Sequence, residues 1–237
     1  MTPEVKRILN EVNYLIGYEP YLNRISSDMS SAIRIASDNR VELDRARDAL
    51  QRASAGQTVA IVSGGDPGIF AMAAAVFEAI QQGPKTWRTL DVQVHPGVTA
   101  MVAAAARLGA PLGHDFCAIS LSTNLKPWSI IERRLKAAAE ADFVISLYNP
   151  ISKARPDDLD TAFDLLRSYK SPDTPVAFAT AIGRPDEVID LTNLRNASGK
   201  QADMRTLVLI GSSQTVLINR ENDDSPWLLT PRSYASS

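Results

Sequence analysis

The sequence predicts an α/β protein built on a parallel sheet, and three observations carry that expectation. Two strand-like runs, TVAIVSG (58–64) and LDVQV (90–94), each lead into a glycine turn followed by an alanine-rich helical segment. The turns are Gly64-Gly65-Asp66-Pro67-Gly68 and His95-Pro96-Gly97. The same order of strand, turn and helix restarts after a Gly/Pro cluster at 109–113. Finally, 237 residues at 45% hydrophobic and 22% charged can bury a core, in one large or two modest domains.

The elements follow in order. Thr2-Pro3-Glu4 reads as a helix start: Thr2 caps, Pro3 suits the first turn and Glu4 opposes the dipole. Ile8, Leu9, Val12 and Leu15 or Ile16 continue a single apolar stripe. Residues 38–54 read as a charged amphipathic helix capped by Asp38. The strand 58–64 leads to a helix near 69–82, and the strand 90–94 to a helix at 100–108. The cluster at 109–113 marks the boundary, giving α/β domains at 1–111 and 112–237. Beyond it come strand FCAISLS, helix 127–141, strand DFVISLYNP and helix 157–169. Strands PVAFATAIG and RTLVLIG follow, and the polar, proline-interrupted tail 221–237 reads as extended.

Composition narrows the function classes. A net charge of -2 and a pI near 5.7 give no global pull toward nucleic acid or an anionic membrane. Cys117 is the only cysteine, so neither an intrachain disulfide nor a zinc–thiolate cluster can form. With only His95 and His114 beside it, no metal is expected. The N-terminal stretch has no apolar signal core and no run is long enough to span a bilayer, so a soluble protein of the reducing cytoplasm is expected.

In open α/β sheets, ligands collect at the carboxyl ends of strands. Four loops stand there: GGDPG (64–68), HPGVTA (95–100), LYNP (147–150) and ATAIGRPDE (179–187). A phosphate loop would need Lys-Ser/Thr after its glycines, or the dinucleotide spacing, and this one has neither. It places Asp66 where a phosphate would sit. That carboxylate suits a ligand offering hydroxyls or a positive charge, and S-adenosylmethionine offers both. The other reading makes GGDPG a tight turn with Asp66 as its cap.

Several segments, taken in order, resemble the tetrapyrrole methylase family. They are SGGDPGIFAMA, HPGVTAMVAAAARLGAPLGHDFCAISLS, KPWSIIERRLKAAAEADFVISLYNPISKARP, ATAIGRPDE, TLVLIGSSQT and LLTPRSY. YNP with its basic sequel and the closing TPR-x-Y are most similar to the branch that methylates precorrin-3B at C17 and contracts the ring in cobalamin biosynthesis. The likeness covers nearly all of residues 2–234. It implies two α/β domains of the class III methyltransferase type, with S-adenosylmethionine in the cleft between them, and a homodimer that binds neither nucleic acid nor membrane. Two departures matter: the family's opening strand and G-x-G-P-G-D loop do not precede Thr2-Pro3-Glu4, and Thr123 stands where the branch shows an aspartate. Either the start is truncated or misassigned, or part of the site has been lost.

The resemblance implies cofactor-binding roles for Gly64, Gly65 and Asp66, with Ile69 and Phe70 as apolar neighbours. It extends them to Thr99, Ala100, Tyr148, Asn149 and Ala181. Thr99 also reads as a plain helix cap, and Tyr148 as a core ring with a satisfied hydroxyl. Methyl transfer from a sulfonium needs alignment and exclusion of water more than a strong acid or base. His95 and His114 read as turn residues, and no catalytic base is assigned. The polycarboxylate substrate should meet Lys153, Arg155 and Arg184, each of which also reads as a solvated loop charge. Arg133, Arg134 and Lys136 read as a solvated helix face. The other readings are a sister activity (on another precorrin, uroporphyrinogen, diphthine or ribosomal RNA) and a non-catalytic binding module.

Overall fold

The structure, a computed structural model, describes residues 1–38, 41–222 and 225–234. It divides into two compact units, Met1–Thr99 and Ala100–Ser237.

In the first unit, α1 (Pro3–Leu9) starts as the sequence suggests, with Thr2 Oγ1 accepting the Val5 N–H at 3.3 Å. The apolar stripe does not continue as helix. Asn13 donates its N–H to Thr58 O at 2.9 Å and its side chain accepts the Thr58 N–H at 2.8 Å, which turns the chain into β1 (Tyr14–Tyr18). After α2 (Glu19–Leu22) come β2 (Ile33–Ser37), α3 (Glu42–Ser54), β3 (Val59–Val62) and α4 (Met72–Gln82). The sheet is parallel in the order β2-β1-β3, with Ile16 beside Ile35 and Ile61.

Because side chains alternate along a strand, the two faces of β3 serve different layers. Ile61 packs with Ala46, Leu50, Val76 and Ala79 from α3 and α4. Ala60 and Val62 pack with Leu9, Leu15, Leu22 and Ile25.

The sequence misplaces some of these bounds. Helix α3 begins at Glu42 and follows Val41, so Asp38 is not its cap; Asn39 and Arg40, within the expected helix, lie outside the described residues. Helix α4 begins at Met72 because Phe70 holds φ 51°, a backbone that cannot be helical. Residues 90–94 form no strand. Leu90 and Val92 pack against the α3/α4 layer, but the backbone finds no neighbouring strand among the described residues, and a run without a ladder partner is not a strand.

The second unit runs α5 (Ala100–Leu108), β4 (Gly109–Ala110), β5 (Phe116–Ser120), α6 (Trp128–Glu140), β6 (Val144–Tyr148) and α7 (Asp158–Leu166). It continues with β7 (Pro175–Thr180), β8 (Val188–Asn193), β9 (Thr206–Ile210), β10 (Val216–Ile218) and β11 (Trp227–Leu229). The main sheet has the order β5-β6-β9-β7-β8, in which only β5 and β6 are parallel. The expected parallel sheet is thus mixed here: β7 and β8 form an antiparallel hairpin, and β9 returns antiparallel between β6 and β7. Its faces again alternate. Ile145, Leu147, Val176, Phe178, Val208 and Ile210 meet α6 and α7, while Val144, Ala177, Ala179, Leu207 and Leu209 meet α5.

The domain boundary falls earlier than the expected residue 111. Met101, Ala104 and Leu108 of α5 pack with Ala177, Leu209 and Leu228, and β4 pairs with β11 inside the tail. Residues 100–111 therefore belong to the second unit, and the tail is partly strand; positions 223–224 and 235–237 of it lie outside the described residues.

One polar clasp fastens this unit. Asp142, at φ 55°, accepts bonds from the Ser213 N–H (2.8 Å), the Ser213 hydroxyl (2.6 Å), the Lys170 ammonium (3.2 Å) and the Tyr234 hydroxyl (3.2 Å). Burial works against its charge, but the Ser213 bonds and Lys170 outweigh it and hold the carboxyl below the ordinary 3.8. The Lys170 side chain is 3% exposed, and burial lowers its pKa although Asp142 opposes the shift. Nearby, burial pushes the Cys117 thiol up to about 11, with Lys170 pulling the other way.

Asp142→Ala is expected to lower the unfolding free energy by about 3 kcal/mol, since it strands a buried ammonium; urea denaturation measures it. The carboxyl pKa is lower folded than unfolded, so its contribution is whole above 3.8 and lost as the pH falls below that value. An acid titration that cost wild type and variant equally would contradict the clasp. For Cys117, a shift from 9.0 to about 11 makes native alkylation by iodoacetamide at pH 8 roughly a hundredfold slower than in urea.

Candidate functional site

The site residues of the first unit converge on two turns that touch through their backbones. Gly65 sits at φ 72°, and a Cβ there would lie 3.7 Å from Thr99 Cα. A Cβ on Gly97 would overlap the carbonyl oxygen of Gly65, so only glycine permits this approach. Asp66 locks the pair: Oδ1 accepts the Gly68 N–H at 2.8 Å and Oδ2 accepts the Gly97 N–H at 3.0 Å.

This gives Asp66 a task the sequence did not reveal, joining loops 31 residues apart. Each oxygen still has acceptor capacity, and no cation pairs with the carboxylate among the described residues. Its negative charge is available to a ligand. Ile69 and Phe70 follow at 40% and 51% exposure, apolar surface beside bare backbone, while Thr99 is buried. His95 Nδ1 lies 3.3 Å from Glu4 Oε1, which fixes it as a turn brace.

Sequence reasoning missed the turn at the carboxyl end of β1. Tyr18 and Tyr21 meet edge to face at 5.5 Å, and Arg24 lies over Tyr21 at 4.7 Å. A Cβ on Gly64 would come within 3.0 Å of the Tyr21 ring, so the first glycine of GGDPG makes room for an aromatic wall. Behind it, Arg45 is 5% exposed and bonds to Ser37 Oγ, Asp38 O and Met72 Sδ. The readable signal was YLIGY followed by Glu19-Pro20, a short apolar run ending in a turn.

In the second unit, the Tyr148 hydroxyl accepts the Met101 N–H at 3.0 Å and so anchors the start of α5, which opens at Ala100. Asn149 holds φ 52° and donates from Nδ2 to Ser120 Oγ at 2.9 Å. Ala181 is buried at φ 51° and donates its N–H to Arg205 O. Its loop is tied by Glu187, which accepts from the Gly183 N–H and from Arg107 Nε, both at 2.7 Å. The Arg107 bond, then that of Gly183, holds the Glu187 carboxyl below its ordinary value.

The three expected substrate cations differ. Lys153 is exposed and Arg184 half-buried. Arg155 is a brace, bonding Leu121 O at 3.0 Å and Asp158 Oδ2 at 3.2 Å with a side chain 12% exposed. No cluster of metal-ligating side chains occurs among the described residues, and no helix is long and apolar enough to cross a membrane.

Residues 1–198 match the model of the family described as Tetrapyrrole (Corrin/Porphyrin) Methylases. The chain is 57% identical over its whole length to a precorrin-3B C(17)-methyltransferase from Sinorhizobium sp, covering 92% of that protein. It is 40% identical to a probable cobalt-factor III C(17)-methyltransferase from Salmonella typhimurium, over 99% of this chain and 93% of the other. Some relatives are longer: the chain spans 42% of a cobalt-factor III methyltransferase from Priestia megaterium. Among solved structures, the methyltransferase CobJ superposes with a TM-score of 0.91 at 46% identity, over 98% of this chain and 93% of that one.

The two-turn lock makes a direct prediction. Gly97→Ala is expected to cost roughly 2 kcal/mol of stability by overpacking, and Asp66→Ala about 1–2 kcal/mol by freeing two backbone donors. Both are read from urea denaturation. Wild-type midpoints in both variants would show that the turns do not bear on one another.

Proposed function

The chain belongs to the tetrapyrrole (corrin/porphyrin) methylase family, and on that premise we propose that it methylates precorrin-3B at C17, using S-adenosylmethionine, with contraction of the ring. The observation that carries this reading is the pair of glycine turns locked by Asp66, a carboxylate that keeps acceptor capacity beside closely approachable backbone and an aromatic wall. That surface suits a cationic, hydroxyl-bearing ligand and opposes a phosphate, so the residues present fit the methyl donor. When bound, S-adenosylmethionine supplies an electrophilic methyl group to a nucleophilic ring carbon.

The chain's own residues do the rest. Gly64, Gly65 and Asp66 hold the polar part of the donor, and Ile69 and Phe70 cover it with apolar surface that excludes water. Thr99, Ala100, Tyr148, Asn149 and Ala181 complete the proposed binding set. The Tyr148 hydroxyl keeps the start of α5 in place. Lys153 and Arg184 meet peripheral carboxylates, and Arg155 shapes the loop that presents Lys153. A positioned acceptor and donor need no strong base for the transfer itself. His95 and His114 take part in local turn contacts with Glu4 and Asp115, so neither is given a proton-transfer role. The greater identity to the precorrin-3B enzyme than to the cobalt-factor III enzyme favours a metal-free macrocycle. The proposed active form is a cytoplasmic homodimer.

Mass spectrometry of the product formed from precorrin-3B and S-adenosylmethionine tests the reading, with calorimetry of S-adenosylhomocysteine alongside. The expected result is a gain of one methyl group with a contracted ring, and saturable binding. A protein that ignores S-adenosylhomocysteine at millimolar concentration does not have this function.

A further inference from the structure

Strands β5 and β6 are parallel neighbours, so the loops leaving their carboxyl ends lie side by side. The loop after β5, residues 121–127, is stitched to the loop after β6 by three bonds. Leu121 N–H donates to Tyr148 O at 2.9 Å, Asn149 Nδ2 to Ser120 Oγ at 2.9 Å, and Arg155 Nη1 to Leu121 O at 3.0 Å. The base of the loop is therefore rigid, and Leu121 is fully buried.

Its tip is the opposite. Leu125 is 94% exposed, the most exposed large apolar side chain among the described residues. Next to it, Lys126 folds back, its ammonium donating to Ser122 O at 3.3 Å. Neither Lys126 nor Arg134 forms an ion pair with a carboxylate among the described residues, whereas Lys136 on the same helix as Arg134 pairs with Glu132 at 2.7 Å. Burial, then the charges of Arg134 and Arg155, depress the Lys126 pKa, and Arg155, unlike Lys126, is partnered by Asp158.

An apolar tip beside uncompensated positive charge matches a ligand with a flat apolar face and carboxylates on its rim. We propose that loop 121–127 is a substrate-gripping element for a carboxylated tetrapyrrole, with Lys126 taking a rim carboxylate and Leu125 resting on the macrocycle. This deepens the function proposed above and rests on it. Arg134 itself is exposed on α6, as the reading of a solvated helix face expected.

The test titrates uroporphyrin III, a stable porphyrin polycarboxylate, by fluorescence quenching in the presence of S-adenosylhomocysteine, whose own affinity is measured by calorimetry. Lys126→Ala and Leu125→Ser are each expected to weaken porphyrin binding about fivefold. Lys126→Arg should restore it, Lys126→Ala should flatten its salt dependence, and Lys136→Ala should change nothing. S-adenosylhomocysteine affinity should stay at the wild-type value throughout. Unchanged porphyrin binding in Lys126→Ala and Leu125→Ser overturns the proposal, as does a parallel loss of S-adenosylhomocysteine affinity or wild-type protein that binds no porphyrin. Loop-dependent porphyrin binding by a protein that ignores S-adenosylhomocysteine would uphold the gripping loop and sink the methyl-transfer reading instead.

Discussion

The β2-β1-β3 sheet and the five-stranded sheet are covered by apolar layers on their two faces, and that burial dictates where chemistry can occur. Along β9, Leu207, Val208, Leu209 and Ile210 are all at least 98% buried, and the strand's one polar side chain, Thr206, stands at its end, bonded to Thr180 and Asp203. Polar function is displaced to the strand ends, where the ladder stops and backbone groups become available. The candidate residues accordingly stand on turns: GGDPG after β3, Asn149 after β6 and Ala181 after β7. The Asp66 carboxylate shows what such turns need, a short polar side chain able to satisfy backbone donors that no ladder reaches.

The sequence made the turns legible and left their neighbours obscure, for a reason of range. Gly64, Gly65 and Asp66 stand out because glycines beside a carboxylate at the end of an apolar run have a local meaning. The bond from Gly97 to Asp66 crosses 31 residues and leaves no local trace. Tyr21 against Gly64 is equally non-local. Elements read well where period and caps agreed, as in α5, α6 and β5 to β7. They were lost where pairing decided: β1 and β2 became strands by lying beside one another, and LDVQV, with a strand's composition, did not become one. The mixed direction of the second sheet was hidden as well, since a strand's polarity is set by its connection.

Similar reasoning separates charged residues that brace from those that serve a ligand. Arg155, expected to meet substrate or to be a solvated loop charge, is consumed by backbone and partner groups, and so is Glu187. Substituting such a residue disturbs a loop's shape first and its charge second. Lys126 was less conspicuous in the sequence, yet its charge is not spent on a carboxylate among the described residues. Partnership in the fold distinguishes the two kinds.

Backbone strain sharpens the same distinction. Four described residues other than glycine adopt a left-handed backbone: Phe70, Asp142, Asn149 and Ala181. Each costs on the order of 1 kcal/mol relative to glycine, so each needs a compensating reason. Asp142 has one in its clasp, whose several bonds fix the turn. Asn149 tolerates the conformation and secures Ser120. For Phe70 and Ala181 a glycine would meet the backbone requirement at no steric cost, so what the side chain adds is an exposed ring beside GGDPG and a buried methyl after β7. In each unit, then, a strained strand-end turn keeps an apolar side chain where glycine would cost less, and strain of that kind gathers at functional turns rather than in the core.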